Sequence, residues 1–415
     1  MNDEKSISLP VPLSLMLMSL MFSMPACSNQ SAVNTYEELK DYKEATASAP
    51  DAQTSSAKPT FTTKAMAAFN EPWAMTALPT VGHKSPTLLV TQKSGELFVV
   101  NTATGTKTAV TGVPKVAYGG QGGLGDIILA PDFATSKNIY LSYVEVGTGA
   151  NSDKFGAKVI QATIAGLDTD APGLKAITPI WQQMPKVDGQ GHYSHRLLFS
   201  PDGKYLYISS GERQQKTPAQ DMSVNLGKIV RLHPDGSIPV DNPFLDNPKA
   251  IAAQFWSIGH RNILGMTFDD KGQLWAHEMG PRGGDELNLI EKGHNYGWPL
   301  VSNGRNYSGV DIPDHKTQPK FDAPKMTWTP VISPSSISIY KAGRANDFPA
   351  WQGNALISGL SSKALIVVDL DQDKPAVERY RYDMGARIRS VLNVDGEVWL
   401  LEDGSEGRLL QLLPK

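Results

Sequence analysis

A single cysteine, Cys27, stands in 415 residues. No disulfide can therefore form within the chain, and no cysteine-built metal site is available. An excess of one charge is also missing. Lys and Arg number 39 against 42 Asp and Glu, a formal net charge of −3, too weak a field to recruit nucleic acid or an acidic membrane surface. Helical periodicity is scarce, since few stretches keep apolar residues at i, i+3, i+4 and i+7. What is abundant is turn chemistry, with 37 Gly and 29 Pro, and a hydrophobic share of 40% that excludes global disorder.

The first residues read as a targeting segment. LPVPLSLMLMSLMFSM (9–24) is apolar and uncharged, and MPACSNQ follows it. An apolar stretch ending in a small residue and Cys resembles a bacterial lipoprotein signal. Residues 1–27 are thus expected to be a signal peptide, with Cys27 a candidate lipid anchor. The protein is expected to be exported, as a periplasmic or outer-membrane lipoprotein of a Gram-negative bacterium. Two features depart from that pattern: Asp3 and Glu4 offset Lys5, and Met24 and Pro25 precede the cysteine. A plain secretory signal or a membrane anchor is the alternative. Residues 28–60 are rich in Ala, Ser and Thr and nearly free of large apolar groups, so they are expected to be a disordered tether. Residues 61–415 are expected to form the folded body.

In that body one unit recurs, a tight turn followed by a short apolar or alternating run. Examples are QKSGELFVVN (92–101), SPDGKYLYISS (200–210), DDKGQLWAHE (269–278) and NVDGEVWLLED (393–403). Short strands at this density fit an all-β radial array, a β-propeller, better than a single sandwich. The remaining alternative is a pair of β-sandwiches, which does not explain why the polar Gly-rich loops look like parts of one site.

Five blocks look like such loops. YGGQGGLGDIILAPDF (118–133) sets Gln121 among glycines, which let backbone approach a flat ligand. GQGHYSHRLLFSPDG (189–203) carries His192 and His195, each a structural hydrogen-bonding residue, a metal ligand or a base. No third N or S ligand lies nearby, which argues against zinc. SSGERQQ (209–215) offers Glu212, either a solvated acid beside Arg213 or part of the site. SIGHRNILGMTF (257–268) and HEMGPRGGDELNLIEKGHNYGWP (277–299) place Arg261 and Asn262 before a carbonyl- and carboxylate-rich loop. That pairing suggests an anionic cofactor held with a hard metal ion. Gly280 and Pro281 can offer main-chain oxygens, and Asp285 or Glu286 charge. Finally, GARIRSVLNVDGEVWLLEDGSEG (385–407) puts Arg387 and Arg389 on one strand face. Two such guanidinia need an anion between them, a ligand carboxylate or a counterion such as Asp383 or Glu402.

G-H-R-N, then G-P, D-E-x-N-L-I and N-Y-G-W-P, in this order and spacing, resemble the soluble glucose/sorbosone dehydrogenases. These are aldose dehydrogenases that use pyrroloquinoline quinone (PQQ) and calcium. The resemblance covers most of residues 70–413. It implies a six-bladed β-propeller of four-stranded antiparallel sheets that oxidises aldose sugars at C1 to lactones by hydride transfer to the quinone. It implies His192 as the base and Arg261 as the cation stabilising the reduced quinone. Gln121, Glu212, Arg261, Asn262, Ser361, Arg387 and Arg389 then fall at the cofactor. Gly280 and Pro281 fall at the first calcium, and Glu286, Tyr296 and Tyr307 at a second. His260 is expected to be structural. The chain departs from relatives at Met279 and Asn306, and at His195, a variation read as a pocket wall. It also has Ser361 where one branch carries a cofactor lysine, with Lys363 two residues late. The sugar and the electron acceptor stay unassigned. A calcium-dependent propeller lactonase and a non-catalytic propeller binding module are the competing readings.

Overall fold

The turn-and-strand units fold as hairpins whose sheets are arranged radially. The computed structural model describes residues 58–79 and 85–415. The expectations for the signal peptide, Cys27 and most of the tether lie outside the described residues. Among the described residues, twenty-four strands form six four-stranded antiparallel sheets. Blade 1 runs from Pro72 to Ala109, blade 2 from Leu124 to Gln182 and blade 3 from Ser194 to Ile258. Blade 4 runs from Ile263 to Trp328 and blade 5 from Pro334 to Asp383. Blade 6 combines three strands between Ile388 and Pro414 with the first strand, Phe61–Phe69. That first strand pairs antiparallel with Gly407–Pro414, from Phe61 opposite Pro414 to Phe69 opposite Gly407. The ring is thus closed by main-chain hydrogen bonds between its two ends. Among the described residues no helix is long and apolar enough to cross a membrane.

The apolar runs follow from this layout. Six apolar clusters lie in the six gaps between neighbouring blades. Each sheet is therefore buried on both faces, and strands such as Ala355–Gly359 are buried throughout instead of alternating. The turn glycines Gly203, Gly272 and Gly396 take the left-handed backbone their positions require.

One buried arginine joins the innermost strands. Arg196, in blade 3, donates from Nε to Leu264 O at 2.7 Å and from Nη2 to Ser335 O at 2.6 Å. Its Nη1 reaches Asp126 Oδ1 at 3.2 Å. Its guanidinium also lies 3.9 Å from the Trp73 ring centre. Blades 1, 2, 4 and 5 thus meet on a side chain of blade 3. His195 beside it is not a pocket wall. It is buried, stacked on Trp73 at 4.9 Å and bonded through Nδ1 to Ser142 Oγ at 2.8 Å. Gly125 clears its place, since a Cβ there would sit 1.9 Å from the His195 ring.

Burial holds His195 and His277 neutral, their pKa pushed from 6.5 down to about 3. A depressed folded pKa means that the unfolded chain binds these protons first. The stability they contribute is full above pH 6.5 and is lost as pH falls toward 3. Urea midpoints should therefore drop between pH 7 and pH 5, each histidine contributing about 1.4 kcal/mol per pH unit. His277→Leu should flatten the slope, and an unchanged slope would refute this account.

Candidate active site

Antiparallel strands send their connections alternately to the two ends of a blade. Connections entering an innermost strand, and those joining second to third strands, open at the same end. Gln121, His192, Arg261 and Asn262 and Arg387 lie on the first kind, and Glu212, Gly280, Pro281 and Ser361 on the second. Arg389 is the second residue of its innermost strand, and Glu286 the second of a third strand. Tyr296 and Tyr307 belong to the connection 291–325, which starts at the opposite end. It turns back along the outer strand of blade 3, Gly293 N–H donating to Trp256 O at 2.8 Å and Tyr296 N–H to Ile258 O at 3.0 Å. Arg305 then bridges Arg282, which delivers Tyr307 to the site end.

His192 is the centre of the first cluster. Its backbone lies in the left-handed region, φ 49°, as do those of Ser194, His195, Arg213, Gln214 and Lys216. Non-glycine residues in this region carry strain of order 1 kcal/mol each, which concentrates at functional loops. Gly211 makes the turn possible, because a Cβ there would meet His192 O at 2.0 Å. The His192 N–H donates to Gln121 Oε1 at 2.8 Å. Its Nδ1 is hydrogen-bonded to Glu212 Oε1. Glu212 also accepts from the backbone N–H groups of Gln214 and Lys216.

Burial and the Arg261 guanidinium both disfavour the imidazolium and outweigh Glu212, taking the His192 pKa from 6.5 to about 4. Burial pushes the Glu212 carboxyl up, but its bonds to His192 and the Lys216 N–H prevail and hold it below the usual range. An ionised carboxylate can only accept, so His192 carries its proton on Nδ1 and leaves Nε2 as a free lone pair. That is the tautomer of a base.

Arg261 faces it from blade 4, and Arg261 O accepts from the Glu212 N–H at 3.0 Å. Its Nη1 donates to Met279 O at 2.9 Å and Gly280 O at 2.8 Å, and Nη2 reaches Tyr307 Oη at 3.5 Å. Asn262 Oδ1 accepts from Ser194 Oγ at 3.1 Å. Arg261 Nε and Asn262 Nδ2 are buried and have no partner among the described residues. Two unused buried donors near the His192 ring fit a ligand with acceptor oxygens.

Arg261 lines a small cleft together with Glu278, Gly280, Glu286, Tyr296 and Trp298, among others. Glu278 and Glu286 stand directly opposite each other across two strands. Opposed buried carboxylates require a proton or a cation between them. Burial first, then Glu278, pushes the Glu286 carboxyl well up. With the carbonyls already turned to a guanidinium, this donor set fits a hard cation. Asp285 is otherwise engaged. It accepts from Gly280 N–H at 2.8 Å, Ile332 N–H at 2.8 Å and Ser333 N–H at 2.7 Å, and so shapes the loop carrying Gly280 and Pro281. Tyr296 turns its hydroxyl away to Leu289 O at 2.6 Å and offers the cleft no phenol oxygen. His260 is structural, held between Glu278 Oε1 at 3.0 Å and Ser257 Oγ at 2.8 Å.

The Arg387 and Arg389 pair stands apart from these bonds, and its anion is neither Asp383 nor Glu402. Asp403 takes both, Oδ2 from Arg387 Nε at 2.8 Å and Oδ1 from Arg389 Nη2 at 2.8 Å. Glu402 instead binds Arg408. Arg389 also reaches Ser335 Oγ at 3.3 Å. The carbonyl of Ser335 is held by the axial Arg196, so this pair faces the centre of the ring. Ser361 is exposed and its hydroxyl donates to Val331 O at 3.1 Å, so it joins neither cluster. Sequence reasoning missed Glu278 and Asp403. Glu278 closes an apolar strand, LWAHE, where a carboxylate is out of place, and that mismatch was its signal.

The model of the glucose/sorbosone dehydrogenase family matches residues 69–411. The chain belongs to this family. Like other glucose/sorbosone dehydrogenases it is an oxidoreductase. It is 40% identical over 352 residues to the aldose sugar dehydrogenase YliI of Escherichia coli, covering 83% of this chain and 91% of that protein. The crystal structure of the soluble E. coli aldose sugar dehydrogenase in its apo form superposes with a TM-score of 0.77 at 38% identity, over 86% of this chain and all of that one. The PQQ-bound aldose sugar dehydrogenase of Streptomyces coelicolor superposes with a TM-score of 0.68 at 27% identity, over 87% of this chain and all of that one.

Proposed function

We propose that this family member oxidises aldose sugars at C1 to lactones, using pyrroloquinoline quinone and calcium. The observation that carries the reading is the His192–Glu212 pair beside the unused donors of Arg261 and Asn262. The kinship with a PQQ-bound dehydrogenase supports it.

Nε2 of His192 takes the C1 hydroxyl proton, and Glu212 holds the ring in the right tautomer and stabilises the imidazolium that forms. The C1–H bond of the resulting alkoxide is then a hydride donor. When bound, pyrroloquinoline quinone supplies the two-electron acceptor for that hydride. Arg261 and Asn262 would help hold it through their unused donors, with Gln121, which also accepts from the His192 N–H, beside them. Arg387 and Arg389, which Asp403 already bridges, would face its carboxylates with the N–H groups left over. Calcium would be held by the Gly280 and Pro281 carbonyls, and a second ion by Glu286 with main-chain oxygens near Tyr296 and Tyr307. Ser361 fills the place of the missing lysine and contributes no charge. Export with Cys27 as the anchored residue completes the reading.

Titrating purified protein with PQQ and Ca²⁺ should produce sugar-dependent dye reduction that a chelator abolishes. Lactone hydrolysis without PQQ would instead establish the hydrolase, and neither activity the binding module.

A further inference from the structure

We infer that Arg213 is the positioning residue for the base, an assignment that rests on the reading of His192 given above. Next to Glu212 in sequence, Arg213 looks like that acid's surface partner, yet its side chain is spent elsewhere. It is 1% exposed. Its Nε donates to Gly191 O at 2.9 Å, Nη2 to Gly189 O at 2.6 Å and Nη1 to Phe155 O at 2.6 Å. Its backbone N–H donates to His192 O at 3.2 Å, and its guanidinium lies 3.7 Å from the Tyr193 ring centre. One residue therefore grips the arm 189–193 on both sides of His192 and ties it to the third strand of blade 2.

The arm needs such a grip. The innermost strand of blade 3 begins only at Ser194, and the isolated pairing of Val187 with Phe155 ends before Gly189. Between these points His192 sits in the left-handed region, a conformation that persists only where the surroundings over-determine it. A guanidinium presents its N–H groups in a rigid fork and can fix three carbonyls at once. An ammonium is a point donor and cannot reproduce that. The charged groups facing the His192 imidazole are Glu212, Arg261 and Arg213, so Arg213 also adds to the field that keeps the ring neutral.

Arg213→Lys keeps the charge and loses the fork, whereas Arg213→Met loses both. Both are made in the full chain and compared with wild type and His192→Ala. The His192 ring is titrated by ¹⁵N NMR without cofactor, and kcat and KM are measured after loading with PQQ and Ca²⁺. In both Arg213 variants kcat should fall on the order of 10²-fold with KM nearly unchanged, as for a misplaced reacting group. The His192 pKa should rise in the Met variant and stay in place in the Lys variant. Folded Lys and Met variants with wild-type kcat and an unshifted imidazole, alongside an inactive His192→Ala, would overturn the role of Arg213 alone. Wild-type turnover in His192→Ala would overturn the base assignment on which it rests.

Discussion

His192→Ala should bind pyrroloquinoline quinone as wild type does and lose about 10²–10⁴-fold in turnover, the contribution of a positioned base. The separation is expected because the donors assigned to the cofactor come from other parts of the chain, Arg261 and Asn262 from the connection entering blade 4, Arg387 from the connection entering blade 6 and Arg389 from the innermost strand that follows it. Absorbance titration reads the binding and sugar-dependent dye reduction reads the turnover. The pH profile checks the same point. The working form of His192 is neutral, and burial with Arg261 holds its pKa at about 4. Activity should therefore rise with pH through an acid limb well below 6.5, the ordinary value for histidine, and be flat near neutrality. A limb near 6.5, or near-normal turnover in the variant, would move the proton transfer to another group.

The second large effect concerns stability. Arg196→Met should cost about 3–5 kcal/mol, as removing one member of a buried ion pair does. Asp126 would keep its bonds from the Leu197 N–H at 2.8 Å and the Ile127 N–H at 3.1 Å. Its charge would nevertheless lie buried without a counterion. Burial already pushes the Asp126 carboxyl up even with Arg196 opposing it. The carbonyls of Leu264 and Ser335 would lose their donor in the same step. Adding Asp126→Asn should recover part of the loss by removing the stranded charge. Calorimetric midpoints of the single and double variants decide it. A single variant within 1 °C of wild type would show that the ring does not depend on this arginine.

Much of the fold was legible because its determinants are local. A Pro-Asp-Gly or Asp-Asp-Lys-Gly turn and the strand after it sit within ten residues, and Gly203 and Gly272 adopt the backbone that such turns require. The number of blades was not local information. It depended on a family resemblance, because the repeats share a pattern of burial and turns but few letters. The clustering of Gln121, His192, Glu212 and Arg261 was anticipated as residue types in loops. Their connections were not. The partner of His192 is 20 residues away and that of Arg387 is 16, each across a strand pair. In Arg213 and Asp403 the sequence neighbours misled, since adjacency suggested a Glu212–Arg213 pair and an Asp383 or Glu402 counterion.

The order of residues alone determined that this chain makes short strands on tight turns and sets histidine, arginine, amide and carboxylate groups in glycine-rich loops. It thereby set the chemical vocabulary of the site. Only the closed ring decided which of these groups meet, because it brings connections from different blades to one end and withdraws them from water. That withdrawal makes His192 neutral with a free Nε2, sets Glu278 against Glu286, and turns Arg196 from a surface cation into the hub of the blades. The cost of burying charge depends on surroundings that are assembled from distant parts of the chain, so it cannot be read from any short stretch of letters.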